Sequence, residues 1–317
     1  MIGSQRYHIK QGIPIYLLVL ALMAITGMLS STFLTLGNLG NVADRIAPLA
    51  VTALAQTVCI LSGGTDLSLG AIVSLATVIL SFTGGAGAAL SLPMGIMLCL
   101  VMGLLAGLSN GLGITYLKLP PLIMTLSTSA ILQGVALYLR ETPGGSVNGA
   151  FCDLIGWRLG FLPVSFLLCL LLYGLIWWVL SFTRIGRSIY AVGGHPENAR
   201  KCGISIVGVR IRAHMLGGAL ASIGGMMLAA RVYSGDPVIG LPMGMDSVAA
   251  TLVGGTAIVG GIGGPVGTLA GAILLSMMSN LLNLLNVYVY YQYILRGLIL
   301  CGALVLYQLR RKEGGAR

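Results

Sequence analysis

Acidic side chains are scarce in this chain: Asp and Glu number 8 among 317 residues, and all charged residues together make up 8%. A soluble domain carries about a quarter charged residues, so there is no charged coat here to cover a globular surface. A phosphate-binding loop is also missing. No Gly-x-x-x-x-Gly-Lys-[Ser/Thr] occurs, and the glycine-rich run 254–261 lacks the lysine that reaches phosphates. His8, His195 and His214 lack metal spacing, no cysteines stand as CxxC, and no Ser–His–acid set can be assembled. Cys59, Cys99, Cys169 and Cys301 fall in apolar runs and Cys202 in a basic loop, which leaves Cys152 alone in a loop expected outside. No intrachain disulfide is expected. These absences exclude ATP binding of the phosphate-loop kind and leave no case for a catalytic or metal site.

What is present is apolar. Hydrophobic residues reach 56% and glycines number 47, with a mean hydropathy of +0.96. The chain is expected to be an all-α, multi-span membrane protein. Its net charge of +10 would suggest nucleic acid in a soluble protein. Here the basic residues fall in loops, where they set topology, and no nucleic-acid partner is expected.

Spanning helices need about 17–25 residues, and roughly ten such segments can be read. They lie at 13–29, 46–61, 66–83, 93–116, 121–139, 159–180, 213–232, 247–261, 266–285 and 291–307, the eighth short and glycine-rich. The first follows Arg6 and Lys10 but is too long for a signal peptide and lacks a small-x-small site, so it reads as a retained anchor. The loop 181–212 holds Arg184, Arg187, Arg200, Lys201, Arg210 and Arg212 against Glu197 alone. The positive-inside rule places it in the cytoplasm. Counting outward puts Lys118, both termini and the tail Arg310, Arg311 and Lys312 on the same side. The acidic loop 233–246 falls outside. Asp66, Asp246, Arg231 and Arg296 lie at segment ends, where caps and interfacial charges are expected.

One polar break stands out. Gly63-Gly64-Thr65-Asp66-Leu67-Ser68-Leu69-Gly70 interrupts an apolar stretch. Irregular backbone at membrane depth is tolerated only inside protein or along a water-filled path, which points to transport through broken helices. Asp66 and Ser68 can both cap the following span. The run from Asp66 is echoed by the run from Asp246, and the run at Asn110 by the run at Asn280. This sets segments two to five against seven to ten, as halves 46–139 and 213–307 of a single domain, 1–317. An offset of five spans inverts one half, a recurrent transporter design.

The basic loop carries its own helix. Pro196 suits the first helical position, Glu197 the positive end of the dipole, Arg200 and Lys201 the other end, and Gly203 the stop. Such a helix between two spans is what docking to a soluble motor subunit requires.

Four ordered stretches, Gly63–Gly70, Lys118–Leu126, Ala191–Arg200 and Val253–Gly261, resemble the permease subunits of ribose-type bacterial ABC sugar importers over nearly the whole chain. The resemblance implies an inner-membrane dimer of permeases, identical or not, with a separate cytoplasmic ATPase that binds ATP and a sugar-binding protein above. No cofactor is implied for this chain. The resemblance also implies that the stretch Gly194, His195, Pro196, Glu197, Asn198, Ala199, Arg200 and Gly203 contacts the ATPase. His195 stands where that family often has Asn, Thr65 where Ile is usual, and Gly263-Gly264-Pro265 where a more polar turn is common.

Neutral, hydroxyl-rich sugars call for amides and hydroxyls along a passage, and Asn110, Thr125, Thr128, Asn280 and Asn283 offer them within spans. The same architecture could carry branched-chain amino acids or nucleosides. A gradient-driven transporter working alone would need a carboxylate placed mid-span.

Overall fold

In the computed structural model, residues 2–29, 33–85 and 87–288 are described, with scattered residues between 290 and 302 and side chains from Ile15 onward. Most of the expected last span, the tail cations Arg310, Arg311 and Lys312, Arg296, Cys301 and the side chains of Arg6, His8 and Lys10 lie outside the described residues.

The described chain is helical apart from one two-stranded hairpin. The order is α1 (Ile2–Leu29), α2 (Leu36–Leu61), α3 (Leu69–Leu80), α4 (Leu92–Thr115), α5 (Pro121–Leu139), α6 (Gly149–Gly156), β1 (Arg158–Leu159), β2 (Leu162–Pro163), α7 (Val164–Phe182), α8 (Arg184–Gly194), α9 (Pro196–Lys201), α10 (Ile206–Val232), α11 (Leu241–Val253) and α12 (Pro265–Leu284). Helices α2, α4, α5, α7, α10 and α12 are long and apolar enough to cross a membrane.

Two expected spans are shorter than a crossing. Helix α3 has 12 residues and α11 has 13, or about 18–20 Å at 1.5 Å per residue, against a hydrocarbon core of about 30 Å. The expected span 247–261 is therefore corrected. Its helix starts earlier because Pro242 sits in the first turn, and it ends at Gly254, beside Gly255 with φ +85°. The expected span 159–180 also shifts, because Arg158–Leu159 pairs antiparallel with Leu162–Pro163 across Gly160 at φ +67°. Helix α7 begins only after that turn.

Helices α2 and α10 form the centre. From Ile46 to Leu61 every residue of α2 is buried. Thr52 Oγ1 donates to Pro48 O at 2.8 Å beside the proline inside that helix. Ser205 opens α10 by accepting from Gly208 N at 3.2 Å, and Tyr233 ends it in the left-handed conformation. Gly103, Gly107 and Gly111, four residues apart on α4, press their Cα faces on α10 at Gly218, His214 and Ile211. This small-residue spacing lets the two backbones approach.

The loops sort to two ends. Gly144 and Gly235 exchange N–H···O bonds of 2.9 Å, Val147 N donates to Tyr233 O at 3.2 Å, and Gly84 N to Ser146 O at 2.9 Å. These tie the acidic loop 233–240 to its neighbours at one end. Residues 62–68, 183–205 and 254–264 gather at the other, so the acidic and basic loops sit at opposite ends of α10. At the acidic end Arg231 Nε meets Asp44 Oδ2 at 3.4 Å.

Candidate functional site

Between α2 and α3 the backbone leaves the helix because Gly63 adopts φ +93°, a conformation open to glycine at no steric cost. Many of the polar groups released there find partners in the protein. Gly63 N donates to Ile60 O at 2.9 Å and Gly64 N to Cys59 O at 3.3 Å. Leu67 N donates to Thr125 Oγ1 of α5 at 3.2 Å. The Gln56 amide, in the orientation that pairs both its ends, donates to Asp66 O at 2.8 Å and accepts from Asp66 N at 3.2 Å. Much of this irregular backbone is thus paired within the protein, as holding it at membrane depth requires.

Asp66 is fully buried and is the hub. Its Oδ1 accepts from Ser68 N at 2.9 Å and from Ser68 Oγ at 2.6 Å. Asn110 Nδ2 of α4 reaches Oδ2 at 3.1 Å and Ser68 Oγ at 2.8 Å. His214 Nδ1 of α10 lies 3.0 Å from Oδ2. The break itself, α4 and α10 therefore converge on one carboxylate, while Gln56 of α2 holds the backbone of the same residue. Leaving a buried polar group without its hydrogen-bond partner costs about 1–3 kcal/mol, so these contacts pin the break to its neighbours. Cys59, Asp66 and His214 offer ligand atoms within 4.8 Å of one another. The carboxylate and imidazole already hold each other, and Cys59 Sγ donates to Ala213 O at 3.9 Å, so each group already has a partner in the protein.

The break is fastened to the basic loop. Gly193, next to last in α8, packs its Cα face on Leu61 O and Gly261 N, and Gly261 N donates to Leu61 O at 3.1 Å. A Cβ on Gly260 would lie 3.0 Å from both Gly193 O and Gly63 Cα. Tyr190 Oη donates to Gly263 O at 2.9 Å, and burial pushes its phenol up to about 12. Three glycine-containing segments, 61–64, 193–194 and 260–264, thus meet backbone to backbone. The segment 254–264 bends through Gly255, Gly260, Gly261 and Gly263, all at positive φ. Helix α9 follows α8 at once, with Glu197 in its first turn and Arg200 and Lys201 in its last. Gly203 ends it at φ +77°.

A profile described as "Branched-chain amino acid transport system / permease component" matches residues 38–304. The chain belongs to this permease family. It is similar to the ribose import permease protein RbsC of Escherichia coli (strain K12), 33% identical over 91% of both chains. It is also similar to the galactose/methyl galactoside import permease protein MglC of the same strain, 32% identical over 96% of this chain and 95% of the relative. The ribose import permease protein RbsC of Bacillus subtilis (strain 168) is 32% identical over 96% of this chain and 95% of the relative. No solved structure matches the chain. The protein is a multi-span transport permease and not an enzyme.

In this permease Gly63, Gly64, Asp66, Ser68 and Gly70 all belong to the break or the first turn after it. Gly70 lies against the α11 backbone at Gly240, Leu241 and Gly244. Asp66 caps Ser68 N as expected, whereas Ser68 makes no side-chain cap. Asp66 is corrected in one respect: it is no interfacial charge but a fully buried carboxylate in contact with His214. Around α9, Gly194, His195, Glu197, Asn198, Arg200 and Gly203 are exposed, Pro196 is half-buried and Ala199 is buried. Asn110 and Thr125 serve the break, and Thr128 is buried nearby on α5. On α12, Asn280 is buried with Oδ1 unpartnered among the described residues, and Asn283 is exposed.

Sequence reading missed Gln56, Tyr190, Gly193 and His214. His214 carried a usable signal, since an ionisable residue inside an apolar span calls for a named partner. Gly193 carried none beyond its place beside Gly194.

Proposed function

We propose that this permease is the membrane subunit of an ATP-binding-cassette importer that forms the passage for a monosaccharide handed over by a binding protein. It works in the inner membrane as a dimer with a second permease, identical or homologous, and ATP is bound by a separate cytoplasmic subunit docked on α8–α9. Both termini are cytoplasmic. The observation that carries this reading is the glycine junction. A short, exposed, charged helix directly follows α8, whose last glycines are in backbone contact with both irregular segments, 62–68 and 254–264, so a push on α9 reaches both helix breaks through the end of α8. Relatives whose names specify ribose and galactose support a sugar as substrate.

The finer architecture belongs to the same proposal. The chain has ten spans, α3 and α11 being the broken ones, and it is built as inverted halves 46–139 and 213–307 joined by the loop 181–212. The lengths 26, 12 and 24 for α2–α4 and 27, 13 and 20 for α10–α12 support the repeat. Asn280 and Asn283 remain lining candidates on α12, while Asn110 and Thr125 act by holding the break.

Reconstitution tests the reading. The purified chain alone in liposomes should accumulate no sugar, with or without a proton or sodium gradient. Adding its ATPase, ATP and binding protein should give uptake, and Glu197→Lys should abolish uptake and stimulated hydrolysis together. The buried Asp66–His214 pair favours one rival, a proton-coupled carrier, and gradient-driven accumulation by the chain alone would establish it. Uptake of branched-chain amino acids instead of sugar would support the other reading of the family.

A further inference from the structure

A second polar feature lies beside the break and has no part in the junction. A cleft of about 400 Å³ opens between the end of α4, the start of α5 and the start of α10, lined by Gly63, Thr115, Lys118, Pro121, Val207 and Arg210 among others. No acidic residue lines it. Asp66, close by in the chain, is already held by Ser68, Asn110 and His214.

Both cations of the cleft stand where a cation is ordinarily disfavoured. Lys118 lies just before Pro121, which opens the 19-residue helix α5, and Arg210 lies near the start of the 27-residue helix α10. Helix N-termini carry a partial positive charge and their first N–H groups lack intrahelical acceptors, so anions belong there and cations do not. Lys118 is moreover held at φ +55°, a backbone state that a non-glycine residue keeps only when its surroundings impose it. Arg210 Nε is out of contact with solvent and has no hydrogen-bond partner among the described residues. An unpaired buried donor on a charged group is costly. One anion between the two side chains would answer all four observations.

We propose that this cleft binds a phosphate group, held by Lys118 and Arg210 between the N-termini of α5 and α10. Arginine and lysine against phosphate form strong charge-assisted hydrogen bonds. The phosphate belongs either to an anionic lipid headgroup or to a free phosphate ester on the basic-loop side. Bound there, it would cross-link the α4–α5 turn, α10 and the break at Gly63. This inference rests on the cleft alone and survives a different transported substrate.

The test uses the full chain in nanodiscs. One arm compares phosphatidylglycerol with phosphatidylcholine and counts retained lipids by native mass spectrometry. The other titrates glycerol 3-phosphate in phosphatidylcholine discs and follows the unfolding temperature. Retained phosphatidylglycerol identifies the lipid source; saturable stabilisation by glycerol 3-phosphate identifies the free ester. In either case Lys118→Gln, an exposed turn substitution, should weaken binding about tenfold or more, the loss expected for one charge-assisted bond. Arg210→Gln should do the same. The proposal is overturned if neither probe binds, if binding is unchanged in both variants, or if an uncharged sugar gives the same stabilisation.

Discussion

Gly193→Ala is the sharpest perturbation of the junction, because the added methyl group meets backbone on two sides. A Cβ there would overlap Leu61 O and lie 2.7 Å from Gly261 N and 2.9 Å from Leu61 C. None of these atoms can rotate away as a side chain would, so α8 must separate from the break or both must shift. Overpacking of this kind costs about 1–3 kcal/mol. The cost falls on the joined arrangement and not on one in which the loop has moved off, so it biases the equilibrium between them by about 5- to 150-fold. Uptake per ATP hydrolysed by the reconstituted complex should fall while the protein still inserts and unfolds cooperatively.

A glycine away from the junction serves as the control. A Cβ on Gly174 of α7 would find nothing within 4 Å. Gly174→Ala should therefore transport normally. If Gly193→Ala transports with the wild-type coupling ratio, or if both variants fail alike, the tight junction is not what links the loop to the break.

Three further outcomes are expected. His214→Leu leaves the buried Asp66 carboxylate without one of its hydrogen-bond partners and should destabilise the fold by about 1–3 kcal/mol in detergent unfolding, whereas Asp66→Leu with His214→Leu should lose less than the sum of the single changes. Tyr190→Phe removes the bond to Gly263 O, worth about 1 kcal/mol. Because burial raises the phenol to about 12 from an ordinary value near about 10, its contribution should be complete below about pH 10 and lost as pH rises toward 12, and the phenylalanine variant should lack that loss. For topology, native Cys202 is exposed and Val238 is 45% exposed. A membrane-impermeant thiol reagent on intact cells should modify Val238→Cys and leave Cys202 untouched, and external labelling of Cys202 would reverse the orientation. Val238 is preferable to Gly240, whose Cβ would meet Ser74 N at 2.6 Å.

Much of this architecture was legible because apolar runs and charged loops are one-dimensional signals. Helix α9 could be read residue by residue, since Pro196, Glu197, Arg200, Lys201 and Gly203 act through local backbone geometry. The break at Gly63 was legible for the same reason. What holds the break was not. His214 lies 148 residues from Asp66, and no spacing rule links them, so Asp66 read as a cap and His214 as an isolated histidine. Gly193 and Gly194 are alike in sequence, yet only Gly193 faces Leu61. Hydropathy also placed helix starts too early at 159 and too late at 247. It measures how apolar a stretch is and not where a hairpin or a first-turn proline sets the boundary.

The packing of the short helices decides how far a movement at α9 must travel. Gly70 of α3 lies against Gly240, Leu241 and Gly244 at the start of α11, and Gly240 N donates to Ser74 Oγ at 2.9 Å. Helices α3 and α11 are therefore held together directly as well as through the junction. Displacing one break alone would strip these backbone contacts in a tightly packed interior, where neighbours have no room to follow singly. Moving α3, α11 and the loop together preserves them. The strain then falls on the positive-φ glycines of 254–264 and on the Asp66 cluster, where α3 is pinned to α4 and α10. If α9 docks the ATPase as proposed, a push on it must either carry α4 and α10 along or break the Asp66–His214 contact. The first course moves a rigid unit and needs no buried charge to lose its partner, so it is the one the structure favours.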